Sequence, residues 1–237
     1  QCKSCGWDDA SGFVLDPRTT KSPRCLMAAA PAPPAGLDAL TRRFALTPEQ
    51  ASALEAYVTL LAKWSPKINL VGASTLDDPW RRHIWDAAQV ADLLPDTADT
   101  LIDMGSGAGL PGLILAVLCD VAVHSIESDG RKTAFQRQAV QQMGLREKVV
   151  LHNNRVEACS GLSADIITAR AFARLQKLLE MGYGFSHSQT LWVLPKGQNL
   201  EAELKEATKC WTFNSDTVHS ETDVDARILC LREVKPK

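Results

Sequence analysis

The sequence has no apolar run near the roughly 18 residues that a membrane-spanning helix needs, no excess of either charge, and no paired cysteine framework. The first absence rules out a spanning helix. Lys and Arg number 26 against 28 Asp and Glu in 237 residues, a formal net charge of -2. The chain as a whole is therefore not a bulk polyanion binder, and any nucleic-acid role must come from a local basic patch. The seven cysteines, Cys2, Cys5, Cys25, Cys119, Cys159, Cys210 and Cys230, are odd in number and scattered. That pattern speaks against a disulfide scaffold and for a reducing compartment, the cytoplasm. Cys2, Cys5 and Cys25 are one ligand short of a closed zinc site, so no metal is expected. What is present, 45% hydrophobic and 23% charged residues, is the balance of an ordinary globular domain.

Residues 1–36 have no helical or strand period, carry no secretory h-region and end rich in Pro and Ala, so they read as a disordered arm. Met27 followed by three alanines has the look of a natural start, which makes residues 1–26 an upstream extension. A helical cap is expected over 37–96. Thr47-Pro48-Glu49-Gln50 has the form of a capping box, and Leu54, Tyr57, Val58, Leu61 and Trp64 then recur at helical spacing until Ser65-Pro66. A second cap helix is expected over 79–94, with Arg81, Arg82 and His83 in its first turns. From Thr100 strands and helices alternate, the signature of an α/β sheet over 97–237. Strands are expected at 101–104, 121–127, 149–151, 165–168 and 191–194. Helices are expected over 111–118, 131–143, 172–181 and 200–208, with two antiparallel strands, 210–218 and 226–234, closing the sheet.

The strongest candidate site is Asp103-Met104-Gly105-Ser106-Gly107-Ala108-Gly109-Leu110-Pro111-Gly112. Glycines at a strand end let the chain turn sharply and bring backbone amides against a ligand. Glu127, at the end of the next strand, can accept both hydroxyls of a ribose. The stretch from Gly107 to Gly112 also satisfies the dinucleotide G-x-G-x-x-G pattern, which keeps an NAD-linked oxidoreductase in view. A carboxylate beside the glycines, Asp103, suits an ammonium and sulfonium better than a pyrophosphate. That favours S-adenosylmethionine (SAM).

At these residues the sequence resembles the small-subunit ribosomal RNA methyltransferase G family, also called glucose-inhibited division protein B. The resemblance covers about residues 40–235. It is carried by Trp64-Ser-Pro-Lys-Ile-Asn69-Leu70, Arg82-His83-Ile-Trp-Asp86, the Asp103–Gly112 loop, Glu127 with Arg131-Lys132, Arg155-Val156-Glu157, Asp165 through Arg170-Ala171, and Leu194-Pro195-Lys196-Gly197. Ser65, Trp85 and Met104 depart from the family pattern without removing a group the chemistry needs. The resemblance implies a class I SAM-dependent methyltransferase (Rossmann-like) α/β sheet with an N-terminal helical cap. It implies N7 methylation of one guanine, guanine 527, in 16S rRNA; the expected partner is that RNA within the 30S subunit or a late assembly particle, and the expected state is a monomer. It also implies cofactor contacts at Gly105, Leu110, Val156, Glu157 and Arg170, with Glu127 on the ribose and Asp103, Ser106, Gly107 and Gly109 completing the loop.

Arg170 and Lys196 are then expected to position phosphate or guanine O6. Arg82, Arg131, Lys132, Arg155 and Lys196, with Arg42-Arg43, Arg81 and Arg137, would supply a basic rim for RNA. Each has a plainer reading: Arg170 paired to Asp165 or Glu157, Arg155 and Glu157 as solvated charges, Asp86 as an i,i+4 partner of Arg82, and His83 as a packed, hydrogen-bonded histidine. Trp80 could stack on a base. A class I methyltransferase of proteins or small molecules is the remaining alternative.

Because nothing in residues 1–26 has the pattern of the sheet or the glycine loop, deleting them should leave SAM affinity unchanged. Calorimetric titration of the shortened protein checks this, and an affinity loss above about tenfold, or stoichiometric zinc in the full chain, would contradict it.

Overall fold

The computed structural model describes residues 36–237. The expected arm through residue 35, with Cys2, Cys5, Cys25 and the Met27 start, lies outside the described residues. The first element is a helix that the sequence reading did not separate, α1 (Leu37–Phe44), ended by Ala45 in the left-handed conformation. Helix α2 (Pro48–Trp64) follows the expected capping box. Thr47 Oγ1 accepts from the Gln50 amide at 3.2 Å, and Gln50 Oε1 accepts from the Thr47 amide at 3.0 Å. The Gln50 Nε2 then donates to Val117 O at 2.7 Å, so one side chain both caps α2 and ties it to the sheet's first crossover helix.

The second cap helix is present but irregular. It runs as a π turn over Trp80–Trp85, a single α turn α3 (Asp86–Ala88) and a 3₁₀ segment Gln89–Leu93. A helix is expected there, but not its widened first turn, which local spacing does not encode.

The strands are β1 (Thr100–Met104), β2 (Ala122–Ile126), β3 (Val149–His152), β4 (Ala164–Thr168), β5 (Ser186–Lys196), β6 (Trp211–His219) and β7 (Arg227–Pro236). They form one seven-stranded sheet in the order β3-β2-β1-β4-β5-β7-β6. The first five are parallel, and β7 runs antiparallel between β5 and β6. Helices α4 (Gly112–Leu118), α5 (Gly130–Gln142), α6 (Leu175–Gly182) and α7 (Leu200–Ala207) complete the layers. Helix α6 starts at Leu175, not at Phe172 as the sequence suggested. Ala171 takes a left-handed φ of 51°, which breaks the helical path and leaves Phe172 in a turn.

Alternation along the strands divides the core in two. Leu101, Val123, Ile166, Leu191 and Val193 face α1, α2, the 80–93 segment, α4 and α5. Ile102, Met104, Ile126, Ile167, Trp192 and Leu194 face α6 and α7. The cap thus shares one continuous core with α4 and α5. Phe135 on α5 receives Tyr57 and Trp64 of α2 edge-on, each with ring centroids at 5.9 Å. Among the described residues no helix is long and apolar enough to cross a membrane.

Tyr57 is fully buried, and its hydroxyl donates to Ala108 O at 2.8 Å. Tyr57→Phe strands a buried carbonyl, at a cost of about 1–3 kcal/mol. Thermal denaturation should show a lower Tm by roughly 2–4 °C per kcal/mol lost; an unchanged Tm would mean that Ala108 O finds another donor.

Candidate active site

The parallel strands deliver their carboxyl ends to one edge of the sheet, where ligands of open α/β sheets bind. There β1 runs into the glycine loop. Gly105 has φ +65°, and a Cβ on it would stand 2.1 Å from the Phe172 ring. Asp103 is wholly buried beneath the loop, its Oδ2 accepting from the Gly112 amide at 3.0 Å while Oδ1 has no partner. A Cβ at Gly112 would lie 2.8 Å from that same Oδ2, so glycine is what permits the approach. Burial pushes the Asp103 carboxyl up to about 7, against the pull of the Gly112 amide. Above the carboxylate, Ser106 Oγ donates to Asp103 O at 2.8 Å. Ser125 Oγ lies 2.7 Å from both Ser106 Oγ and Gln136 Oε1, and Gln136 Nε2 donates to Gly107 O at 2.9 Å. Tyr57, Asp103, Ser125 and Gln136 together hold the loop rigid from below.

Glu127 closes the arrangement from β2. Its Oε2 accepts from the Gly107 amide and its Oε1 from the Asp129 amide, both at 2.8 Å. Each oxygen keeps a free lone pair, so the carboxylate is oriented but not exhausted. It lies on a cavity of about 450 Å³, within the ~300–1,000 Å³ of small-molecule sites. Of the residues singled out in the sequence, Gly105, Glu127, Lys132, Arg155, Val156 and Glu157 line this cavity. Val156 is buried there, while Arg155 and Glu157 are exposed. Asp103, Ser106, Gly107, Gly109 and Leu110 are outside the lining and shape the loop. Arg131, at the start of α5, pairs with Asp129 at 3.2 Å.

A second cavity of about 290 Å³ opens beside the first. Arg82, Asp86, Arg170 and Lys196 line it, together with Gln89, Thr222, Asp223 and Arg227. Two expected pairings are corrected here. Arg170 partners neither Asp165 nor Glu157: its Nε meets Asp86 Oδ2 at 3.0 Å, and Nη2 donates to Arg82 O at 2.9 Å. Asp165 sits at the other end of β4, where it accepts from the Asp99 and Thr100 amides. Asp86 is not the i,i+4 partner of Arg82, which lies 3.9 Å from Asp223. Asp86 Oδ1 instead accepts from Thr222 Oγ1 at 2.6 Å and Gln89 Nε2 at 3.1 Å. Lys196 Nζ lies 2.8 Å from Glu203 Oε2 and donates to Ala173 O at 3.2 Å.

The expected basic rim is therefore divided. Lys132 and Arg155 belong to the larger cavity, Arg82 and Lys196 to the smaller. Arg43 is taken by Asp92 and by Glu221 at 3.0 Å, and Arg81 pairs with Asp78; with Arg42, Arg137 and Trp80 they are in neither lining. His83 is buried, with Nε2 at 2.8 Å from Thr75 Oγ1, as its packed reading held. Burial, with Arg170 and Arg82 nearby, pushes it down to about 4.

Sequence reasoning missed Phe172, Asn154, Lys177 and the 220–226 connection between β6 and β7. Asn154 and Lys177 look like any solvated polar residue, and the connection reaches the site only through tertiary folding. The dinucleotide alternative meets a physical obstacle. The α4 amides that would cradle a pyrophosphate are engaged: Gly112 by the Asp103 carboxylate and Leu113 by Gly109 O at 2.8 Å.

Residues 50–229 match the family described as rRNA small subunit methyltransferase G. The ribosomal RNA small subunit methyltransferase G of Rhodospirillum rubrum is 45% identical over 186 residues, which cover 78% of this chain and 92% of that protein. Its namesake from Rhodospirillum centenum is 43% identical over 194 residues, 82% of this chain and 89% of the other. Among solved structures, a SAM dependent methyltransferase from Aquifex aeolicus aligns with a TM-score of 0.52 at 15% identity, covering 67% of this chain and 96% of that one. The fold is the class I SAM-dependent methyltransferase fold.

Because Asp103 has a raised pKa in the folded protein, the folded state binds the extra proton between about pH 4 and 7. The associated stability is present below pH 4 and lost as pH rises through about 7, at a slope of at most about 1.4 kcal/mol per pH unit. Asp103→Asn removes that dependence. Its Tm relative to wild type should rise steadily from pH 4 to pH 7, and a pH-independent difference would show that Asp103 is already ionised when folded.

Proposed function

We propose that this chain, which belongs to the rRNA small subunit methyltransferase G family, methylates small-subunit ribosomal RNA with SAM, and that the acceptor is N7 of guanine 527 in 16S rRNA. The observation that carries the reading is the pair of adjoining cavities at the sheet's carboxyl edge. One is framed by the glycine loop and Glu127, the other by cations from the cap and from the ends of β4 and β5. The names of the relatives support ribosomal RNA as substrate; the N7 position and the single guanine rest on the family resemblance.

The residues fit SAM. Glu127 offers two oriented carboxylate oxygens for ribose hydroxyls, Val156 an apolar wall for adenine, and the buried Asp103 Oδ1 an unmet acceptor beneath the loop. When bound, SAM supplies a methyl group on a positively charged sulfur. Guanine N7 carries a lone pair and no proton, so the displacement needs no general base. The protein's task is to extrude the base, exclude water and align nitrogen with methyl carbon, and alignment accounts for roughly 7–11 kcal/mol. Arg170, fixed by Asp86 and the Arg82 carbonyl, retains N–H donors for phosphate or guanine O6. Lys196 keeps one of its three donors beyond Glu203 and Ala173. His83, held neutral by burial, has no proton to take.

Incubation with unmodified 30S subunits and labelled SAM, followed by mapping of the label, tests the reading: it should fall on one N7-methylguanine, at 527. No histidine ionisation should appear in the rate from pH 6 to 9, since His83 is neutral throughout. His83→Ala should keep at least about a third of wild-type activity with the wild-type pH profile, any step near pH 7 belonging to Asp103. An ionisation near the His reference value of about 6.5 that disappears in His83→Ala sinks the base-free mechanism, and label on another nucleotide sinks the assigned target.

A further inference from the structure

The two cavities share a wall made of Ala171, Phe172 and Ala173. Among the described residues Phe172 is the one aromatic side chain in either lining. It is 37% exposed, unusual for a phenylalanine beside a buried strand end. Two features hold it there. Ala171 adopts φ 51°, a conformation uncommon outside glycine and concentrated at functional sites. Gly105 leaves room for the ring, since a Cβ there would penetrate it at 2.1 Å. The bare Gly105 therefore accommodates a side chain of the protein itself.

We infer that Phe172 is the face against which the target purine stacks when it leaves the RNA. The inference rests on the reading of the smaller cavity as the base site. Methyl transfer requires the purine nitrogen to reach the other cavity's contents directly, past the edge of the wall the two share. The base must therefore lie along that wall, and Phe172 is its one aromatic part. A base drawn from a stack loses its neighbours' faces, and RNA-binding proteins replace them with aromatic rings. The other groups of the smaller cavity read edges or phosphates. Arg82 and Lys196 are charged, and Arg170 is pinned through its guanidinium by Asp86 and Arg82 O. None of these offers an uncharged flat surface; Phe172 does.

The test compares wild type with Phe172→Leu, Phe172→Tyr and Phe172→Trp in steady-state methylation of unmodified 30S subunits. S-adenosylhomocysteine affinity is measured alongside by calorimetry. Leucine covers Gly105 but has no π face; tyrosine and tryptophan keep one. Phe172→Leu should lose roughly tenfold to a hundredfold in kcat/KM for 30S subunits, while S-adenosylhomocysteine binds within about threefold of wild type. Phe172→Tyr and Phe172→Trp should stay within about threefold on both. If Phe172→Leu does not fold, Phe172→Met takes its place with the same expectation. Equal kcat/KM for the leucine and tyrosine variants, or a loss matched by lost S-adenosylhomocysteine affinity, overturns stacking and leaves a packing role. Failure of the wild-type protein to methylate 30S subunits at all overturns the functional reading, and the stacking role with it.

Discussion

A carboxylate with no access to water sits under the first turn of α4, and the geometry of the glycine loop follows from it. An isolated buried carboxylate is costly unless it is hydrogen-bonded or neutralised. Asp103 meets that demand with one backbone amide, Gly112, and with a pKa pushed towards neutrality. Gly112 must lack a Cβ for the amide to come close enough. The loop between them is then fixed at both ends, which lets Glu127 take the Gly107 amide from β2. The same bond occupies the helix terminus that dinucleotide folds leave open. One interaction thus both builds this ligand loop and selects against another.

The smaller cavity depends on a second carboxylate used differently. Asp86 stands where three parts of the chain meet: the π turn carrying Arg82, the end of β4 carrying Arg170, and the β6–β7 connection carrying Thr222. It is half-buried and fully partnered. A carboxylate that accepts from hydroxyl, amide and guanidinium at once has little freedom to move, and the cations it orders inherit that rigidity. Preorganised donors of this kind need no reorganisation at the moment of reaction.

Local chemistry made much of this legible beforehand. Thr47 and Gln50 are close enough in sequence to declare a capping box, and both bonds form. The strand, glycine and helix succession around Gly105 is likewise a matter of neighbouring residues, as is the alternation that placed every strand. What stayed hidden was set by distance along the chain. Arg170 and Asp86 are 84 positions apart and Asp86 and Thr222 are 136 apart, so no window of sequence could pair them. Phe172 was hidden for a smaller reason: a single left-handed residue, Ala171, interrupts an otherwise plausible helical pattern, and alanine gives no warning of it.

The bond between Asp86 and Thr222 has a bearing on when the protein becomes competent. Glu221 also reaches across the same gap, accepting from Trp85 Nε1 at 2.8 Å. Residues 80–93 and 220–226 must both be available before the roof over the smaller cavity exists. During synthesis the first five strands and their helices emerge first, the chain being made from the N-terminal side at about 5–20 residues per second. The residues that build the glycine loop have all been made at that stage. Those of the roof have not, because the segment that supplies Thr222 and Glu221 is translated more than 130 positions after the cap that receives it. A chain still attached to its own ribosome therefore contains every residue of the glycine loop well before it contains those that roof the smaller cavity.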